Sequence, residues 1–282
     1  MNNFISVFFS LFAYSLLSIG LVLMKKGINW IGWRKKGKGR KFYGYLFIWI
    51  LGFILTNSSI IPNGIALKRL SPHIVASIAG WGIIIMILFS CFWLNERLYK
   101  SDFVYFIFII LGIFMLGYFQ KDIRTTNIPS ILSLVLISFL PLLLLTVIFI
   151  KPNSNKLKAV IFSIIAGLSA GLIIVYLKIV VNIFGFRIIK YFSSPYLYIY
   201  LFFSIAAFVF LQLAYKNGDM LIVGPIYYSL NIVYTTIVTI FCFKVKMEII
   251  QYFAMSMIIL SLIKISSVNR VEDVKNRTQA VG

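Results

Sequence analysis

Acidic side chains are scarce in this sequence, with seven Asp and Glu among 282 residues. These are Glu96, Asp102, Asp122, Asp219, Glu248, Glu272 and Asp273, and all fall at the edges of apolar runs, in the gaps between them or in the C-terminal tail. There is one histidine, His73, and two cysteines, Cys91 and Cys242, sit inside apolar runs without CxxC spacing. So small a set offers no metal cluster, no Ser-His-Asp or Cys-His arrangement and no paired carboxylates, so enzyme activity is not expected. No cofactor is implied. A cleavable signal peptide is not expected either, because basic residues should precede its apolar stretch. Here residues 1–24 carry no charged side chain and the lysines follow them.

Charge of either sign is sparse: 12% of residues are charged, 61% are apolar and the mean hydropathy is +0.98. A soluble domain would carry about 25% charged residues. Surface area grows too fast with size for a water-soluble globule to hide this much apolar surface, so lipid must cover it. The net charge of +20 does not indicate nucleic-acid binding, because the basic residues lie in short gaps between long apolar runs.

A helix needs about 20 apolar residues to cross the hydrocarbon core. The sequence meets that requirement repeatedly, predicting an all-α polytopic membrane protein of about nine transmembrane helices. They are placed at about 4–24, 42–67, 71–94, 102–119, 128–150, 158–182, 195–215, 219–243 and 247–265, with a polar tail to residue 282. With the N-terminus outside, inner segments hold 18 of the 27 Lys and Arg and outer connections hold 8, while Lys178 lies within the sixth helix. That bias favours an external N-terminus and a cytoplasmic C-terminus, in a multi-pass protein of the plasma membrane.

An internal repeat organises the helices. Residues 66–75 (Ala-Leu-Lys-Arg-Leu-Ser-Pro-His-Ile-Val) match residues 214–223 (Ala-Tyr-Lys-Asn-Gly-Asp-Met-Leu-Ile-Val), with Ala, Lys, Ile and Val in register at an offset of 148. Upstream, Ser10, Ala13 and Lys25 match Ser163, Ala166 and Lys178 at an offset of 153. The expected organisation is a first transmembrane repeat over 1–127, a linking helix over 128–150, a second repeat over 151–266 and a polar cytoplasmic tail over 267–282. Four crossings return the chain to its starting side and the linking helix carries it across, so the second repeat is inverted. Transporters use such a pair to alternate between outward-facing and inward-facing states.

Several short segments carry a family resemblance: Ser18-Ile19-Gly20 leading to Lys25-Lys26-Gly27, Phe92-Trp93-Leu94-Asn95-Glu96-Arg97-Leu98, Gln212 with Tyr215, and Val223-Gly224-Pro225-Ile226-Tyr227-Tyr228. Over about residues 4–266 the chain resembles the drug/metabolite transporter superfamily, of EamA-like type, and within it the NIPA-type magnesium-transporter branch. The resemblance implies alternating access and transport of Mg²⁺ or another divalent cation. It departs from strict repetition where Glu96 corresponds to Lys244, with Glu248 one turn later. The related small multidrug-resistance proteins couple export to protons through a glutamate in the first helix, and that helix has no acid here.

Polar residues inside spanning segments need a partner or a job. The pathway candidates are Asn57, Asn63, Lys178, Gln212, Tyr215, Tyr228, Asn231 and Thr235. Tyr228, Asn231 and Thr235 share one helical face by their spacing of three and four. Lys178 is read either as a central charge for an anionic group or as a lysine snorkelling to the membrane surface, and snorkelling is favoured because its repeat mate Lys25 ends a helix. Pro62 with Gly64, and Gly224 with Pro225, are kink or hinge candidates. Gly167 and Gly171 form a GxxxG packing pair. Glu96 and Asp219 are candidate entrance charges, and no metal ligands are assigned. Mg²⁺ prefers carboxylate and water ligands, which an acid-poor interior supplies poorly. A small organic metabolite or a lipid-linked anion is the alternative cargo, and a non-transporting scaffold or receptor is the alternative of another class. The implied partners are the lipid bilayer and a small solute or ion, with a homodimer as a compatible assembly and no nucleic acid.

Overall fold

The computed structural model describes residues 3–28, 40–94, 100–119, 130–145, 154–185 and 187–279. These residues form helices and connecting turns, with no strand among them. In chain order the helices are α1 (Asn3–Gly27), α2 (Arg40–Ser58), α3 (Ile60–Leu67), α4 (Pro72–Leu94), α5 (Lys100–Tyr118), α6 (Ile131–Leu145), α7 (Asn155–Phe184), α8 (Ile188–Tyr191), α9 (Pro195–Asn217), α10 (Met220–Phe243) and α11 (Ile249–Gln279).

Six helical spans among the described residues are long and apolar enough to cross a membrane: Phe4–Gly27, Phe42–Leu67, Pro72–Leu94, Asn155–Phe184, Pro195–Asn217 and Met220–Phe243. Three shorter apolar helices, Phe103–Leu116, Leu132–Leu143 and Ile249–Lys264, lie at the positions expected for the fourth, fifth and ninth crossings. The protein is therefore a polytopic helical membrane protein. Its outward side chains fit lipid, with Phe4, Phe47, Leu132, Ile205 and Phe241 exposed.

Two boundaries differ from the sequence expectation. The second crossing is not one helix but two, broken at Ser59. Pro62 has no N–H to offer the Ser58 carbonyl, and its ring crowds that same carbonyl. Asn57, Ser58 and Ser59 also turn their side chains back onto the carbonyls of Phe53, Ile54 and Thr56, at 2.8, 2.8 and 2.6 Å. Such bonds compete with the helix ladder. The last helix continues through Gln279, well beyond residue 265. No glycine or proline interrupts residues 249–281, so nothing in the local sequence stops it.

Close backbone approach sets the packing. A Cβ on Gly52 would lie 2.6 Å from the Gly20 carbonyl, and one on Gly27 would lie 2.7 Å from the Trp49 backbone nitrogen, so α1 and α2 run antiparallel with their backbones nearly touching. Gly167 and Gly171 do the same for α7 against α10, where added methyls would meet the Tyr227 carbonyl at 2.7 Å and Thr235 Oγ1 at 3.1 Å. α1 also packs along α4, and α7 along α9. α4 lies against α10, α5 against α11, and α6 against α7 and α10.

Candidate functional site: a cavity between two lysine-capped turns

The two sequence repeats around residues 66–75 and 214–223 fold into turns with matching backbone bonds. Leu70 N–H donates to the Ala66 carbonyl, and Gly218 N–H to the Ala214 carbonyl, each at 2.9 Å. After the turn, Ile74 and Val75 donate to Ser71 at 3.1 and 3.3 Å, and Ile222 and Val223 donate to Asp219 at 3.2 and 3.0 Å. Each of these pairs is separated by the sequence offset of 148. Each turn leaves carbonyls at a helix C-terminus, where the helix dipole favours a cation.

A lysine fills each place. Lys178 of α7 is 3% exposed, and its Nζ donates to the carbonyls of Leu67 and Leu70 at 2.5 and 3.2 Å. Lys25 of α1 donates to the carbonyls of Tyr215 and Gly218, the latter at 2.7 Å. Leu67 and Leu70 correspond to Tyr215 and Gly218 at the offset of 148, as Lys25 and Lys178 correspond at 153. The snorkelling expectation for Lys178 is thus replaced by a buried cap: its ammonium binds backbone carbonyls of α3 and the turn beyond it. Lys25, read from sequence as a helix end and as the repeat match of Lys178, makes the equivalent contact.

A cavity of about 470 Å³ lies between these turns. Its walls come from α1 (Tyr14, Leu17, Leu21), α2 and α3 (Thr56, Asn57, Asn63, Leu67), α7 (Ala170, Ile174, Leu177), α9 (Tyr200, Ser204, Leu211) and α10 (Tyr227, Asn231). Among the described residues, no charged one lines it. Phe53, Ile60, Leu201 and Ile205 also line it yet are exposed, which places its mouth between α2–α3 and α9, toward lipid.

Of the sequence candidates, Asn57, Asn63 and Asn231 reach this cavity. Tyr228 does not, because its hydroxyl meets Ser18 Oγ at 3.0 Å and joins α10 to α1. Thr235 Oγ1 donates to the Gly171 carbonyl at 3.2 Å and so joins α10 to α7. Gln212 accepts a bond from Trp49 Nε1 at 3.4 Å, and the Tyr215 backbone receives Lys25. The polar stripe on α10 is therefore mainly helix-joining, with Asn231 as its cavity-facing member. Gly224 packs against Met86, and Pro225 lies inside an α10 that continues through it. Gly64 lies where an added methyl would reach Val181 at 3.9 Å, and Pro62 is buried beside the break at Ser59. Asp219 is an exposed N-cap residue of α10 without a side-chain capping bond, and Glu96 lies outside the described residues.

No family model, curated protein or solved structure matches this chain. Function must be read from the site itself. Among the described residues no group of three His, Cys, Asp or Glu is placed to hold a metal ion. His73 is buried on α4. Tyr14, Thr56, Tyr200, Ser204 and Tyr227 were not anticipated. Most have other hydroxyl or amide residues beside them in the chain, and no spacing separates a cavity wall from a packing contact.

Proposed function

We propose that this protein is a membrane transporter of the drug/metabolite type, working by alternating access, with an uncharged and largely apolar organic solute as cargo. The observation that carries the reading is the 470 Å³ cavity walled by both sequence repeats and lined by apolar and neutral polar side chains. Its size lies within the range of about 300–1,000 Å³ typical of small-molecule sites.

The packing supports two related halves. Exchanging α1 with α7, α2–α3 with α9, α4 with α10 and α5 with α11 leaves the main helix contacts unchanged, with α6 as the linking element. This exchange symmetry is what a duplicated pair of halves requires, and it supports the proposed inverted repeat. A scaffold or receptor would have no need of it. The nine crossings and the external N-terminus rest on the sequence, on its hydropathy and on the distribution of Lys and Arg.

The lining favours an organic solute over Mg²⁺. Mg²⁺ keeps its waters and binds through one or two carboxylates, whereas the cavity offers the neutral oxygens of Asn57, Asn63, Asn231 and hydroxyl groups. An anionic cargo is disfavoured because the ammonium of Lys178 is bound to the Leu67 and Leu70 carbonyls. Flux in proteoliposomes holding the purified protein tests the assignment. Exchange of neutral amphipathic solutes, lost when Ala170→Trp fills the cavity, is the expected result. Mg²⁺ uptake abolished by Asp219→Ala would overturn it.

A further inference from the structure

We propose that Lys25 and Lys178 are the two gates of the cavity, each closing one end by capping a helix of the opposite half, and that they release in alternation. The inference rests on reading the protein as an alternating-access transporter, and its own support is geometric.

Each lysine belongs to the first helix of one repeat, and its acceptors belong to the end of the second helix of the other. Lys25 ties α1 to the turn after α9, and Lys178 ties α7 to the turn after α3. The two contacts lie at opposite ends of the molecule, because α1 runs antiparallel to α2–α3 and Leu67 is at the far end of that span from Trp49, which faces Gly27. The cavity lies between them. Leu21 and Leu211, one turn before Lys25 and Tyr215, line it toward one end, and Leu67 and Leu177 line it toward the other. Both contacts are made in this structure, so both ends are held shut while the mouth faces lipid.

The chemistry suits a gate better than a permanent cross-link. Carbonyls at a helix C-terminus accept a lysine through charge-assisted bonds and a favourable dipole. When the halves part, water replaces the carbonyls around the ammonium and solvates the freed helix end, so release carries a modest net cost. A carboxylate partner would hold more firmly and would add an acidic charge to an acid-poor interior. Because the two contacts are equivalent, opening one end while the other stays closed gives two states of similar energy, which alternating access requires.

Hydrogen–deuterium exchange of the full chain in lipid nanodiscs tests the gates without knowledge of the cargo. Lys178→Ala should speed exchange in residues 66–75 on the order of tenfold, the scale for losing a bond to a charged donor. It should also slow exchange in residues 214–223 below wild type, because the population shifts toward the state closed at Lys25. Lys25→Ala should give the reverse. Lys178→Gln and Lys25→Gln, which remove the charge and one atom of reach but keep an amide donor, should show the same signs if either alanine variant fails to fold. Lys178→Arg and Lys25→Arg should restore the wild-type pattern. A merely structural cap predicts faster exchange at its own turn alone, and that result, or two variants that open the same end, overturns the proposal. A reciprocal shift without any solute flux would uphold the gates and sink the cargo assignment. Flux without the reciprocal shift would sink the gates alone.

Discussion

The hydroxyls of Ser18 and Tyr228 meet at 3.0 Å, although 210 residues separate them, and both side chains are fully buried. This contact joins α1 of the first repeat to α10 of the second. Gly82 of α4 lies beside the pair, where an added methyl would meet Ser18 Oγ at 2.8 Å. Tyr228→Phe should lower stability by about 1 kcal/mol, the usual net value of one hydrogen bond. A double-mutant cycle with Ser18→Ala in detergent unfolding should return a coupling of about 0.5–1.5 kcal/mol. Additive single effects would show that the two hydroxyls do not act together.

Two glycines of α2 should respond in opposite ways. A methyl on Gly52 meets backbone atoms of α1 at 2.6 and 2.8 Å, so Gly52→Ala should destabilise the fold by about 1–3 kcal/mol through overpacking. A methyl on Gly44 meets nothing within 4 Å. Gly44→Ala should therefore be neutral or stabilise by up to about 1 kcal/mol, from helix propensity alone. Thermal unfolding of the two variants side by side checks the contrast.

The lipid-facing mouth gives a separate handle on transport. Ile205 lines the cavity and is 64% exposed, so a larger ring there meets lipid rather than core. Ile205→Trp should slow solute flux while stability stays within about 0.5 kcal/mol of wild type, the range of most surface substitutions. Unchanged flux would show that solute does not pass between α2–α3 and α9.

The start of α7 depends on a side-chain cap. Ser154 has extended backbone, and its Oγ accepts a bond from Leu157 N–H at 3.2 Å. Ser154→Ala should cost about 1 kcal/mol, and Ser154→Gly only a few tenths, as for other N-caps. Equal losses would mean that the hydroxyl does not cap the helix.

Hydropathy alone determined that this chain is a multi-pass helical membrane protein, because covering an apolar run is a local matter of length and composition. The matched segments at 66–75 and 214–223 likewise announced two equivalent turns, and the turns have the same backbone bonds. The GxxxG of α7 was readable as a packing face, since small side chains at that spacing have few other uses. The break at Ser59 was less legible: Pro62 marked a kink, while the side chains of Asn57, Ser58 and Ser59 fixed where it falls. Which hydroxyls wall the cavity and which join helices could not be read, because Tyr227 and Tyr228 are chain neighbours on different sides of α10. Lys178 shows the limit most clearly. Sequence places a charge in an apolar helix and leaves its partner open, since its acceptors are backbone carbonyls 108 and 111 residues away, which no residue type advertises. Only the packing of the two halves brings those carbonyls within reach and makes the lysine a cap.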